Sequence, residues 1–192
     1  MNITGGSVRG FPLKTPPNKA IRPTQNQVRL AVFSMLESNY LPEAGYQNLL
    51  VADIYAGTGA LGIEALSRGV QHVDFIEKDK GHAQLLRQNL HKTGFETKST
   101  IITTNAATFI QQDRPAQYDL IFLDPPYALF DSLNLMDIVK NLSKDGVLVY
   151  LHDAHHTPQP AITDIKGNTW QRSEIRAYGT TGVSFYSLTQ ST

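Results

Sequence analysis

Two clusters of residue types in this sequence have the makings of chemistry. The first is Asp124-Pro125-Pro126-Tyr127, which sets a carboxylate, two prolines and an aromatic ring directly after the apolar run Tyr118 to Leu123. Proline fixes the local backbone and removes an amide donor. The carbonyls of this stretch therefore face a ligand as acceptors, beside the Asp124 carboxylate. Two acceptors next to a ring suit an exocyclic NH2 group on a planar base. Tyr127 would stack on the base face, while Asp124 and the Pro125 carbonyl take the two amino hydrogens. The amino nitrogen of guanine, adenine or cytosine is a poor nucleophile, because its lone pair is delocalised into the ring. Engaging both hydrogens favours a more pyramidal nitrogen whose lone pair points at an electrophilic methyl. Alignment for in-line displacement is worth roughly 7–11 kcal/mol in favourable cases. Asp124 is read as an acceptor and orienter, a role that does not require a strong base.

The second cluster is a glycine loop with an acidic partner. Gly57, Gly59 and Gly62 match G-x-G-x-x-G inside DIYAGTGALG, and Glu77 closes the next apolar run twenty residues after Gly57. Glycines let the backbone turn tightly against a ligand, and a carboxylate at the next strand tip accepts bonds from ribose hydroxyls. This pattern alone fits both NAD and S-adenosylmethionine. Asp53 tilts the choice, since a carboxylate there repels a pyrophosphate but suits the ammonium end of a methionine moiety, directly or through water. The neighbours Tyr55, Leu61 and Lys78 are counted with this cofactor site, and Asp124 borders it. With the tetrapeptide included, the reading is an S-adenosylmethionine-dependent methyltransferase acting on an amino group of a nucleic-acid base. A nicotinamide-dependent oxidoreductase leaves Asp124 to Tyr127 unexplained, and failure to bind NAD would dispose of it.

The elements needed to position these residues are legible around them. The 192 residues fit one domain of ordinary size, with 41% hydrophobic residues to fill a core. From Leu49 the chain alternates strand and helix: LLVADIY, Leu61 to Arg68, HVDFIE, Lys80 to Thr93, STIITT, Ala106 to Gln112, YDLIFLD, Ser132 to Leu142 and, after an Asp145–Gly146 turn, VLVYLH. Such alternation predicts a parallel sheet covered on both faces. Thr169 to Tyr178 and Val183 to Leu188, joined by a short turn, can pair only as an antiparallel hairpin. The predicted fold class is α/β: a Rossmann-like, mostly parallel seven-stranded sheet ending in that hairpin. Residues 1–45 are expected to form an N-terminal arm and helix packed on a catalytic unit of residues 46–192. Thr24 reads as the cap of the helix, with Gln27 three residues on.

Composition sets further bounds. Seventeen basic residues balance seventeen acidic ones, so any nucleic-acid contact must come from a local patch or from a target presented by another protein. The absence of cysteine excludes disulfides, thiolate zinc sites and a cysteine nucleophile. No apolar run matches a signal peptide or a membrane span, which makes the cytoplasm the expected location, with no membrane partner and no metal.

Taken together, these motifs resemble the RsmD-type methyltransferases, which modify the 2-amino group of a guanine in small-subunit (16S) ribosomal RNA. The resemblance runs through the arm around Gly5, Gly6 and Arg9-Gly10, then IRPTQNQVRLAVFSML, DIYAGTGALGIEALSRG, FIEKD, YDLIFLDPPY and AYGTTGVSFY. It implies a class I methyltransferase fold, S-adenosylmethionine as cofactor, and an RNA target within an assembling small ribosomal subunit. It also implies that Asn105 and Ala106 flank the cofactor adenine, and that Arg22 and Arg29 contact RNA. Arg9 is a further RNA candidate, with Lys14 and Lys19 undecided. Asn105 stands where the family usually has Asp, and Leu151 where it often has Glu. A monomer is expected. His152, Asp153, His155 and His156 read as a polar loop, and Trp170 and Phe185 as core. The runners-up are an amino-methyltransferase for adenine or cytosine in another RNA or in DNA, and a non-catalytic assembly factor on the same fold, which detectable methyl transfer would exclude.

Overall fold

Apolar runs separated by well-capped helices decide the architecture, and the caps set where each element stops. In the computed structural model, which describes residues 1–16, 26–112 and 118–188, five strands come first: β1 (Leu50–Ile54), β2 (His72–Ile76), β3 (Ser99–Ile102), β4 (Tyr118–Leu123) and β5 (Leu142–Asp153). Three more follow: β6 (Ala161–Thr163), β7 (Thr169–Tyr178) and β8 (Thr181–Leu188). All eight form one sheet in the order β3-β2-β1-β4-β5-β8-β7-β6. Pairing is parallel from β3 to β5, and β8, β7 and β6 add on antiparallel.

The helices are α1 (Asn26–Asn39), α2 (Ala60–Arg68), α3 (Lys80–Thr93), α4 (Ala106–Gln111) and α5 (Leu135–Val139). Asp79 starts α3 by accepting a bond from the His82 amide at 2.8 Å, and Gly94 ends it in the left-handed conformation. Those two residues satisfy donors and carbonyls that a helix end leaves open, so this helix falls where its sequence places it. Thr24, the expected cap of α1, lies outside the described residues.

Side chains alternate between two cores. Val51, Leu120, Phe122, Val147 and Val149 face α1, α2, α3 and the N-terminal arm. Ala52, Ile121, Leu123, Leu148 and Tyr150 face α4 and α5. Trp170 and Phe185 are buried. Two expectations need correction. The sheet has an eighth strand, β6, whose three residues are too few to show a period of two in sequence. The helix expected over Ser132 to Leu142 is shorter: a 3-10 turn occupies Tyr127–Ser132, Asn134 caps α5 by accepting from the Met136 amide, and Leu142 already belongs to β5. Asp145–Gly146 is therefore no turn between elements. It lies in a register irregularity where β5 passes β4, and a Cβ on Gly146 would stand 2.9 Å from the Tyr118 carbonyl oxygen.

The N-terminal arm is a small hairpin bridged at Asn2 and Pro12, with the Ile3 amide donating to the Phe11 carbonyl at 3.0 Å. Buried polar groups dock it onto α2. The Glu64 carboxylate accepts from the Thr4 amide and hydroxyl, both at 2.7 Å, and the Ser67 hydroxyl donates to the Gly5 carbonyl at 2.6 Å.

Candidate active site

The carboxyl ends of β1, β2, β4 and β5 open into a cavity of about 440 Å³, lined in part by Tyr55, Gly57, Glu77, Lys78, Asp124, Pro125, Pro126 and Tyr127. Both clusters singled out in the sequence thus meet at one place, where open α/β sheets hold ligands.

The glycine loop runs from β1 into α2 with Tyr55, Gly57 and Gly59 all at positive φ. Glycine reaches that region without steric cost, and the resulting tight turn lays Tyr55, Ala56, Gly57 and Thr58 along the cavity. Behind the loop, Gly62 sits so close to the Phe75 ring that a side chain there would collide with it; this brings α2 onto the sheet. Glu77 ties the loop to β2: its Oε2 accepts from the Gly57 amide at 2.8 Å and its Oε1 from the Asp79 amide at 2.7 Å. Carboxylate oxygens keep further lone pairs, which can accept from a ribose diol. Glu77→Ala is accordingly expected to weaken S-adenosylmethionine binding about tenfold or more, the scale of one charge-assisted hydrogen bond. Calorimetric affinity equal to wild type would contradict the ribose assignment.

Asp53 holds the loop from beneath. Its carboxylate accepts from the Gly62 amide at 2.9 Å, and Asp53 does not line the cavity, so any contact with a cofactor ammonium must run through water or loop movement. Burial pushes its pKa up to about 7; the Gly62 hydrogen bond opposes this, and the negative charges of Asp124 and Glu77 reinforce it. A folded-state pKa above the ordinary carboxylate value means that protonation favours the folded protein. That stabilisation is complete below about pH 4 and is lost as pH rises through about 7. Asp53→Asn should remove this dependence, so its stability relative to wild type should improve between about pH 5 and pH 8. Thermal unfolding at both pH values checks it, and parallel profiles would mean that Asp53 is ionised throughout.

At the other side of the cavity, the Asp124 amide donates to the Ile54 carbonyl at 3.4 Å, which keeps the tetrapeptide beside the glycine loop. The Leu129 amide donates to the Pro126 carbonyl at 2.9 Å, so the proline carbonyl left for a ligand is that of Pro125. Tyr127 is 47% exposed and lines the cavity, with its ring nearly perpendicular to that of Phe130 at 5.3 Å between centroids.

Some expected residues lie elsewhere. Gly59 shapes the loop without lining the cavity, and Leu61 is buried in the core. Asn105 and Ala106 do not line it either: the Asn105 side chain caps α4 by accepting from the Ala107 amide at 2.9 Å, and Ala106 is buried. Arg29 is corrected outright as an RNA contact. It is fully buried, its Nη2 donates to the Asn2 carbonyl and to Asn26 Oδ1, and its Nε lies 3.8 Å from Glu64. Arg9 is exposed on the hairpin turn beside the carboxyl end of α2, and Arg22 and Lys19 lie outside the described residues.

Other cavity residues escaped the sequence reading. His152, expected in a polar loop, is 2% exposed in the cavity wall. Its Nδ1 lies 2.7 Å from the Asp153 carbonyl, which can only accept, so Nε2 accepts from the Ser184 hydroxyl at 2.9 Å. Burial holds its pKa below the ordinary value, which keeps the ring neutral. Only the β5–β8 pairing brings Ser184 to it, and no local pattern announces that. Among the described residues no acidic or histidine cluster is arranged to hold a metal ion. His82, in the first turn of α3, also lines the cavity; its spacing after Glu77 is the signal that could have found it.

A family model described as Conserved hypothetical protein 95 matches residues 1–187. The chain belongs to that family, the RsmD-type methyltransferases. Among this family's curated members, the Ribosomal RNA small subunit methyltransferase D of Escherichia coli K12 is 30% identical over 167 residues, covering 84% of this chain and 79% of its own. A hypothetical protein from Thermus thermophilus superposes with a TM-score of 0.76 at 26% identity, over 97% of this chain and 99% of that one. An RNA methyltransferase from Salinibacter ruber, solved with S-adenosyl-L-homocysteine, superposes with a TM-score of 0.62 at 16% identity, over 89% and 96% of the two chains. The fold of this RsmD-type chain is that of the class I methyltransferases.

Proposed function

We propose that this RsmD-type protein transfers a methyl group from S-adenosylmethionine to the exocyclic 2-amino group of a guanine in small-subunit (16S) ribosomal RNA, acting as a monomer on an assembling subunit. The observation that carries this reading is the meeting of Asp124, Pro125 and Tyr127 with Gly57 and Glu77 around one cavity. The residues fit such a cofactor: the tight Gly57 loop and the Glu77 carboxylate suit an adenosine, and the Asp124 carboxylate favours a cation over a pyrophosphate. When bound, the cofactor supplies an electrophilic methyl on a sulfonium centre.

The chain's own residues supply orientation. Tyr127 stacks on the base, which must leave its own stack to enter. Asp124 and the Pro125 carbonyl accept from the amino hydrogens and turn the nitrogen lone pair towards the methyl. Transfer would break the methyl carbon–sulfur bond, leaving a neutral thioether, as the carbon–nitrogen bond forms; the Asp124 carboxylate would stabilise the positive charge left on the nitrogen until a proton departs to solvent. Neutral His152 closes the wall without adding a competing cation. The family's curated small-subunit enzymes support the ribosomal target, and that target accommodates the zero net charge, since ribosomal proteins can share the docking.

The test is transfer of radiolabelled methyl to small subunits from a strain lacking the protein, with nucleoside analysis of the product. Label in N2-methylguanosine is the expected result. Label in a methylated adenine or cytosine would move the assignment to another base. Absence of transfer, with cofactor binding intact, would favour an assembly factor.

A further inference from the structure

Buried polar side chains hold the glycine loop from three sides. Asp53 on β1 takes the Gly62 amide and Glu77 after β2 takes the Gly57 amide. The third is Asn89 on α3, which nothing in the sequence singles out. Its side chain is fully buried. Nδ2 donates to the Thr58 carbonyl at 3.0 Å and to the Lys14 carbonyl at 3.1 Å, while Oδ1 accepts from the Lys14 amide at 2.8 Å. One amide group thus uses both donors and its acceptor on the backbones of two remote segments. An unsatisfied amide in the core is costly, so the three bonds hold or fail together.

The two segments have a shared destination. Thr58 lies between two left-handed glycines and lines the cofactor cavity. Lys14 follows the second half of the N-terminal hairpin, where the Leu13 amide donates to the Met1 carbonyl at 2.9 Å, and Met1 also lines that cavity. We propose that Asn89 is a positioning residue that makes the N-terminal hairpin part of the cofactor site. It fixes the Thr58 carbonyl, and with it the curvature of the loop, by anchoring both to Lys14.

The test is calorimetric titration of the full-length protein with S-adenosylhomocysteine. Asn89→Asp puts a carboxylate oxygen where Nδ2 now faces two carbonyl oxygens. It is expected to weaken binding at least about tenfold, the scale of losing buried hydrogen bonds. Ser67→Ala is the control. The Ser67 hydroxyl anchors the same hairpin at Gly5 and Val8 without touching the loop, so this variant should melt earlier yet bind within about twofold of wild type. Wild-type affinity in Asn89→Asp, or an equal loss in Ser67→Ala, would overturn the proposal. If circular dichroism finds Asn89→Asp unfolded, Asn89→Ala takes its place, with an expected loss of about fivefold or more and the same deciding comparison. A wild-type protein that fails to bind would defeat the cofactor assignment itself, a separate outcome.

Discussion

Asp124→Ala is expected to reduce methyl transfer by roughly a hundredfold to a thousandfold or more, the range seen when a preorganised group facing developing charge is removed. Affinity for S-adenosylhomocysteine should change little. The division follows from the proposed roles. Glu77 and the Gly57 loop would hold the cofactor, whereas Asp124, next to Pro125 and Tyr127 in the same cavity, would face the base. Alanine leaves one amino hydrogen without its acceptor and the nitrogen free to flatten back into conjugation. Asp124→Asn keeps an acceptor oxygen but loses the negative charge, and intermediate activity is expected. Single-turnover transfer and calorimetry together decide the matter. Equal loss of cofactor affinity would place Asp124 on the wrong side of the cavity.

The largest effect on stability is expected at Glu64. This carboxylate is fully buried on α2 and gathers the Thr4 amide and hydroxyl, the Arg68 guanidinium at 3.0 Å and the Arg29 Nε at 3.8 Å. Burial lowers the pKa of Arg29, and Glu64 opposes that shift. Removing the carboxylate strands a buried cation, which typically costs 3–5 kcal/mol, so Glu64→Ala is expected to lose about that much. Two orphaned donors on Thr4 add to the effect. Urea unfolding measures it, and a loss below about 1 kcal/mol would show that the guanidinium finds water or another partner. A double variant, Glu64→Leu with Arg29→Met, should recover much of the loss, because an apolar pair of similar volume carries no desolvation cost.

The legible parts of this molecule are those whose determinants are local. The Asp79 cap and Gly94 stop lie at the ends of α3, so its limits could be read directly. The glycine loop, Glu77 and the tetrapeptide announce themselves by spacing, and strand–helix alternation brings them to one edge of the sheet. What escaped depends on partners far away in sequence. Arg29 reads as a surface cation until Glu64, thirty-five positions later, is found beneath it. His152 reads as loop until β8 pairs with β5 and supplies Ser184. Asn89 reads as one more polar residue on a polar helix until two remote backbones converge on it. β6 is too short to carry a pattern of its own.

The two outermost strands of the sheet are its shortest, β3 with four residues and β6 with three, and β6 covers β7 only at Thr169 to Gln171. A margin exposes a row of unpaired amides and carbonyls, and a long one is a template for the strand of another molecule. Pro158 and Pro160 stand just ahead of β6, and proline cannot donate to such a ladder. The long central strands, richest in valine, leucine and phenylalanine, are enclosed on both sides. This arrangement withholds from neighbouring molecules the segments best suited to cross-β growth, a safeguard for a chain whose formal net charge of zero offers little mutual repulsion.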